Sequence, residues 1–245
     1  MGGSAAGRGP RVGGSPGMSD RTPETIPYFL REKIRALIVD GTFQPGQPLR
    51  EQDLERRFGS SRGPIREALR LLEQTGLVTH MQRRGFRVTL YDDREIRDQY
   101  LLRAELEAYA IKQLADAGDL APLLQTLKAC RAQLEAAYKA HDARAYLTEI
   151  RRFYDAIAAY TGNRPLCNAL ARLNETAEPL RYNLLSRRLE ESRTRQYMLR
   201  IIQALEAGRY EDAAALKREH VLMNLPSIIE AYAAARYHEQ RSAAA

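Results

Sequence analysis

Three arginines, Arg62, Arg66 and Arg70, recur at every fourth residue between Leu54 and Leu72. At helical spacing they form one row, because residues i and i+4 share a face. A guanidinium is permanently charged and presents a fork of donors, which suits phosphate oxygens and the acceptor edge of guanine. Arg62 and Arg66 stand in the N-terminal half of that helix, the part that reaches base edges when a helix enters a major groove. The competing reading of any such stripe is a solvated surface row. A second basic group, Arg83-Arg84-Gly85, follows. Its arginines would add phosphate or groove-edge attraction, and the glycine would let backbone approach DNA.

These residues need elements to hold them. Ile65, Ala68, Leu69 and Leu72 fall at i, i+3, i+4 and i+7, which predicts the buried face of the arginine helix. Gly59 supplies a permissive corner before it, Ser61 is a good N-cap residue, and Pro64 lies in the first turn. Two short helices meeting at such a corner read as a helix-turn-helix. Upstream, Leu30, Ile34, Leu37 and Ile38 predict a first helix that Gly41 stops, Phe43 plugs the core, and Leu49 and Leu54 open the next helix. Downstream of the Gly76 stop, 77–82 and 86–90 flank the basic tip as a two-stranded hairpin, with Phe86, Val88 and Leu90 alternating. A helix-turn-helix followed by a hairpin is a winged helix.

The 245 residues carry a formal charge of +7 and are 44% hydrophobic but only 7% aromatic, consistent with two domains of mostly helical packing and with a polyanionic partner. Cys130 and Cys167 lie in separate helical patterns and read as reduced thiols, with no CxxC pair. No apolar run could span a bilayer and no signal peptide is evident, so a cytoplasmic protein with no membrane partner is expected. Residues 1–23 read as a disordered tail and 24–91 as the winged helix-turn-helix. Residues 92–240 read as an all-α bundle, with breaks at Gly118, around His141, at Gly162-Asn163, near Asn183 to Ser186 and at Gly208. That predicts a mainly α fold with about six or seven helices in the second domain. Pro226 should kink or divide the last of them, and His80, His141 and His238 read as surface residues.

The glycine, proline, apolar and arginine positions Gly41, Pro45-Gly46, Leu49, Glu51, Leu54, Gly59, Ser61-Arg62, Pro64, Arg66-Glu67-Ala68-Leu69, Gly76-Leu77 and Arg84-Gly85 resemble the winged helix of GntR-type bacterial transcription regulators. The resemblance implies that Arg62 and Arg66 contact operator bases or phosphates, helped by Ser61 and the wing at Arg84 and Gly85. It also departs from the family: Gln52 stands where relatives often carry arginine, which would alter operator preference, and Ser60 replaces an apolar residue. Tyr100, Arg103, Leu106, Glu107 and Ala110, then Thr161-Gly162-Asn163, 204–208 and His220, resemble more weakly the all-helical effector (FCD-like) domain of the FadR branch.

Many domains of that branch hold a buried metal on one aspartate and three histidines. The resemblance places those ligands at Ile150, Tyr154, Met198 and His220, where only one imidazole survives. We therefore expect no metal or other cofactor, and a cavity lined by Ile150, Tyr154, Met198 and His220. Arg103, which by resemblance faces the same space, is the candidate to hold a carboxylate or phosphate bidentately. Repacking of those side chains into solid core is the alternative.

The sequence thus predicts a metabolite-responsive, DNA-binding repressor that is not an enzyme. It shows no paired carboxylates in a shared pocket, no nucleophile with a readable base and no glycine-rich phosphate loop. Double-stranded operator DNA is the expected partner, with a second copy of the chain, because one recognition helix covers too few base pairs to discriminate without two half-sites of a pseudo-palindrome. A small carboxylate is the expected effector. A ligand-independent DNA-binding protein with a collapsed effector pocket is the other reading.

Overall fold

The computed structural model describes residues 25–233, so the tail read at 1–23 and His238 lie outside the described residues. Helix α1 (Ile26–Val39) has Pro27 in its first turn and buries Leu30, Ile34 and Ile38. A two-residue strand β1 (Pro48–Leu49) leads into α2 (Glu51–Phe58), whose end is the left-handed Gly59 at φ 62°. A side chain there would pay for that backbone, and glycine does not. Helix α3 (Arg62–Gln74) follows, with Ile65, Ala68, Leu69 and Leu72 all at 0% exposure. Full burial of each of the larger three contributes roughly 1.5–3 kcal/mol. They pack with Leu30, Ile34, Phe43, Leu54, Phe86 and Val88 in one core.

Strands β2 (Val78–Met81) and β3 (Gly85–Val88) form the antiparallel hairpin. Its sheet has three strands rather than two, in the order β1-β3-β2, with Leu49 opposite Phe86. A two-residue strand is too short to show alternation in sequence. The hairpin strands are also shorter than read. Leu90 lies past the end of β3 and is 46% exposed.

Asp92 caps α4 (Asp93–Gln113) in a reciprocal capping box with Glu95. Then come α5 (Ala121–Lys139), α6 (Ala143–Tyr160), α7 (Arg164–Arg188), α8 (Thr194–Glu206) and α9 (Tyr210–Met223). Four of the breaks read from sequence are left-handed residues: Gly118, His141, Gly162 and Gly208. The fifth is displaced. Helix α7 runs unbroken through Asn183 and Ser186 to Arg188, because Leu180 and Leu185 continue its buried side, and the chain turns only at 189–193. Asn224 ends α9 and helix resumes at 225, so Pro226 sits in the first turn of a separate segment that reaches the last described residue. The proline divides the pattern instead of kinking one helix.

The two domains touch. Tyr91 Oη donates to the carbonyl of Gly76 at 2.7 Å, and the Tyr91 N–H donates to Tyr232 Oη at 3.1 Å. Helix α1 lies against α7 through ion pairs in which Arg31 and Arg35 meet Glu175 and Glu178. Among the described residues no helix is long and apolar enough to cross a membrane.

Candidate functional site

The outer face of α3 carries the arginine row. Arg62 and Arg66 have side chains 70% and 47% exposed, and Arg70 and Gln52 are exposed as well. Glu51, in the first turn of α2 and only 16% exposed, binds both of these arginines: Arg62 Nε pairs with one oxygen and Arg66 Nε lies 3.7 Å from the other. One carboxylate therefore orients two guanidiniums toward the same side. Ser61 occupies the N-cap position of α3, but its hydroxyl makes no capping bond, contrary to the capping role expected for it. At the wing, Arg84 donates its N–H to the carbonyl of Met81 at 3.0 Å and is exposed. Arg83 and Gly85 are both left-handed, at φ 65° and 75°. Gly85 pairs with Met81 as the first residue of β3, so it belongs to the strand and not to the loop.

In the helical domain, α4, α7 and α9 enclose a cavity of about 110 Å³. Arg103, Ile150 and His220 line it, as read from the sequence. Two other predicted residues do not. Tyr154 lies behind the wall, its ring 3.1 Å from the Lys217 ammonium and its hydroxyl 3.5 Å from His220 Nδ1. Met198, at 0% exposure, belongs to the apolar core with Ile201 and Ile202, on the buried face of α8.

The cavity wall is cationic. Arg103 is 4% exposed, lies with its guanidinium 4.3 Å over the Tyr100 ring, and its Nε has no hydrogen-bond partner. The Tyr100 hydroxyl beside it is also buried and unpartnered. Lys217 and Glu107, 3% and 4% exposed, form an ion pair at 3.0 Å. Burial works against the Glu107 charge, but Lys217 and Arg103 together hold its carboxyl below the usual range. Burial also pulls the Lys217 ammonium down, to about 7, against the pull of Glu107. In this pair the lysine is the member that yields its proton as pH rises. Arg181 lines the cavity from α7, and its pKa is lowered by burial and by Arg103. His220 donates to or accepts from Thr194 Oγ1 at 3.0 Å through Nε2, and its ring stacks on Tyr197. Burial, then Lys217, Arg181 and Arg103, push its pKa well below the ordinary imidazole value.

These residues do not fit the metal that the resemblance implies. Of the four ligand positions only His220 is an imidazole, and both of its nitrogens face hydroxyls. Three cations surround it, and a divalent ion would add to their repulsion. Among the described residues no group of three or more His, Cys, Asp or Glu could hold a metal ion.

Lys217 and Arg181 were missed from the sequence, yet they left a trace there. Lys217 falls between Ala213, Ala214 and Val221 on the buried stripe of α9, and Arg181 follows Ala177 by one turn on α7. A cation inside an apolar helical stripe is the mark of a buried charge, as at Lys217 and as Arg103 and Glu107 show on α4, whereas Arg181 is only partly buried.

An arginine-faced helix with its wing on one domain, joined to a helical domain around a partly open polar cavity, defines a one-component DNA-binding regulator. The chain belongs to the GntR family of bacterial regulatory proteins, and it is a DNA-binding transcription regulator, not an enzyme. Residues 29–88 match the family model described as bacterial regulatory proteins, gntR family, and residues 98–223 match the FCD domain. It is similar to the HTH-type transcriptional repressor GlaR of Escherichia coli, 31% identical over 210 residues that span 80% of this chain and 92% of that one. The HTH-type regulator YdhC of Bacillus subtilis is 34% identical over 61% of this chain and 67% of its own. In fold it matches a GntR regulator from Rhodococcus at TM-score 0.71 and 23% identity, covering 84% of this chain and 98% of that one. Escherichia coli McbR/YncC matches at TM-score 0.72 and 20% identity, over 85% and 99%.

Proposed function

We propose that the protein is a cytoplasmic, homodimeric repressor that leaves a pseudo-palindromic operator when a small organic anion enters the α4–α7–α9 cavity, with no metal or other cofactor. The observation that carries this reading is the buried guanidinium of Arg103, unpartnered at Nε and facing open space. An unpaired buried cation is costly, and an anionic ligand removes that cost. The open cavity speaks against the collapsed-pocket alternative. A relative named as a repressor supports the sign of regulation.

The second copy fits best on α4, where Leu101, Leu102 and Tyr109 are about half exposed along one side of the helix. Contiguous apolar surface of that kind marks an interface. Sedimentation of Leu102→Glu should give a monomer, and an unchanged dimer would remove this face from the account.

Thermal unfolding tests the cavity. Small carboxylates at millimolar concentration should raise the melting temperature of the protein, and Arg103→Ala should abolish the rise. A set of carboxylates that leaves the wild-type melting temperature unmoved would favour a regulator without an effector.

A further inference from the structure

Where the metal-binding relatives would place a divalent cation, this chain places side-chain cations, and their arithmetic points to a particular ligand. Lys217 and Glu107 neutralise one another at 3.0 Å. Arg188 and Glu191, which also line the cavity, are exposed and opposite in sign, so Arg103 and Arg181 are left over. Arg103 lies over the face of Tyr100 with no hydrogen-bond partner at Nε, and Arg181, partly exposed, feels Glu107 and Glu178 only as carboxylates already paired with Lys217 and with Arg35 and Arg151. Resting on the effector reading above, we propose that the cavity binds a small dicarboxylate directly on protein cations, one carboxylate facing Arg103 and the other Arg181, with no metal ion between ligand and protein.

Three observations support two charges over one. First, two guanidiniums share one small cavity and repel each other, which is also why the Arg181 pKa is lowered after burial is counted. A monoanion would quench one and leave its neighbour uncompensated, whereas a dianion quenches both. Second, the void of about 110 Å³ is somewhat smaller than an engineered cavity of about 150 Å³ that admits benzene, so it takes at most about six non-hydrogen atoms, and because it opens to one side the remaining atoms of a small ligand reach the rim. Dicarboxylic acids of three or four carbons fit on those terms. Third, the Tyr100 hydroxyl is unpartnered, and Ser192, Asn224 and Ser227 add polar groups around the rim. They suit the carboxylate oxygens that the two guanidiniums do not reach. The Lys217–Glu107 pair holds α9 to α4 and fixes the floor of the cavity without consuming either arginine.

Calorimetric titration of the full-length protein tests this, using malonate and succinate against propionate and butyrate of equal length, and inorganic phosphate as a compact dianion. In buffer containing EDTA the dicarboxylates should bind about tenfold or more tighter than the matched monocarboxylates, the factor set by one added charge-assisted contact. Arg181→Met should bring each pair to within about twofold by removing that contact. Equal binding of mono- and dicarboxylates by the wild type would overturn the two-arginine assignment while leaving an anion effector in place. Phosphate binding tighter than either dicarboxylate, or binding lost in EDTA and restored by zinc, would overturn it also. No binding of any anion would remove the effector reading itself. The wild-type comparison needs no variant, so a misfolded Arg181→Met leaves the test intact.

Discussion

Arg35 on α1 donates from Nε to Oε1 of Glu175 on α7 at 2.6 Å, a contact that joins the DNA-binding domain to the effector domain across 140 residues of chain. Glu175 is 4% exposed and also accepts from Arg31 at 3.0 Å. Glu178, one turn on, pairs with the same Arg35 and with Arg151 of α6 at 2.8 Å. One further turn along α7 stands Arg181, at the cavity wall. Pro179 lies between the two groups and cannot donate to the carbonyl of Glu175, so α7 has a weak point where its two ends can shift relative to one another.

On the effector reading proposed above, coupling from the cavity to α3 would run through the Glu175–Glu178 cluster, which joins α7 to α1. Arg35→Ala should cost about 1–3 kcal/mol of stability, because Glu175 keeps Arg31 and loses one of its buried partners. The variant should still bind the effector anion with unchanged affinity, but the anion should no longer alter operator binding. A response to effector equal to that of the wild type would place the coupling elsewhere.

If Arg62 and Arg66, held by Glu51, read the operator, two variants should separate reading from phosphate contact. Arg66→Ala should weaken specific operator binding by about 1–3 kcal/mol with the melting temperature nearly unchanged, since the side chain is 47% exposed. Arg84→Ala, at the wing, should weaken binding to all sequences alike and lower the salt slope by about 1. Fluorescence anisotropy with operator and scrambled duplexes separates the two. An Arg66→Ala protein with full specific affinity would remove α3 from the role of reader.

His220 sets an acid limit. Its folded pKa lies well below 6.5, by burial and by Lys217, Arg181 and Arg103, so the unfolded chain takes up a proton that the folded protein refuses. Stability should therefore be intact above about 6.5 and fall as pH drops below it, approaching about 1.4 kcal/mol per pH unit for one proton. Lys217 is lowered too, but its effect lies between about 7 and the usual lysine range near 10.5, outside this window. Denaturant melts at pH 7, 6 and 5 should show the slope in the wild type and a flatter one in His220→Gln. Identical slopes would show that His220 is not the group responsible.

Much of this was legible in the sequence because periodicity reports burial directly. The apolar positions of α3 and the left-handed breaks at Gly118, Gly162 and Gly208 are local signals, and the structure places them as read. Strand β1 was not legible, since two residues carry no period. Nor was the end of α7, where the polar Asn183 and Ser186 suggested a break that continuing leucines override. The cavity was half legible. Arg103, Ile150 and His220 could be placed by likeness to other domains, but Arg181 and Lys217 enter through the crossing of α7 and α9 over α4, and no spacing along the chain encodes that crossing. Tyr154 and Met198 were assigned to a metal-shaped space that this chain has filled from behind with a lysine and with core.

The central claim is that an anion on Arg103 governs the grip of α3 on DNA. The most direct measurement is operator affinity by anisotropy with and without saturating succinate, in the wild type and in Arg103→Ala. The account predicts a loss of operator affinity of about 5–150-fold on adding succinate to the wild type, the range of ordinary coupling between sites, and no loss in Arg103→Ala. Operator affinity that falls equally in both proteins, or in neither, would contradict it.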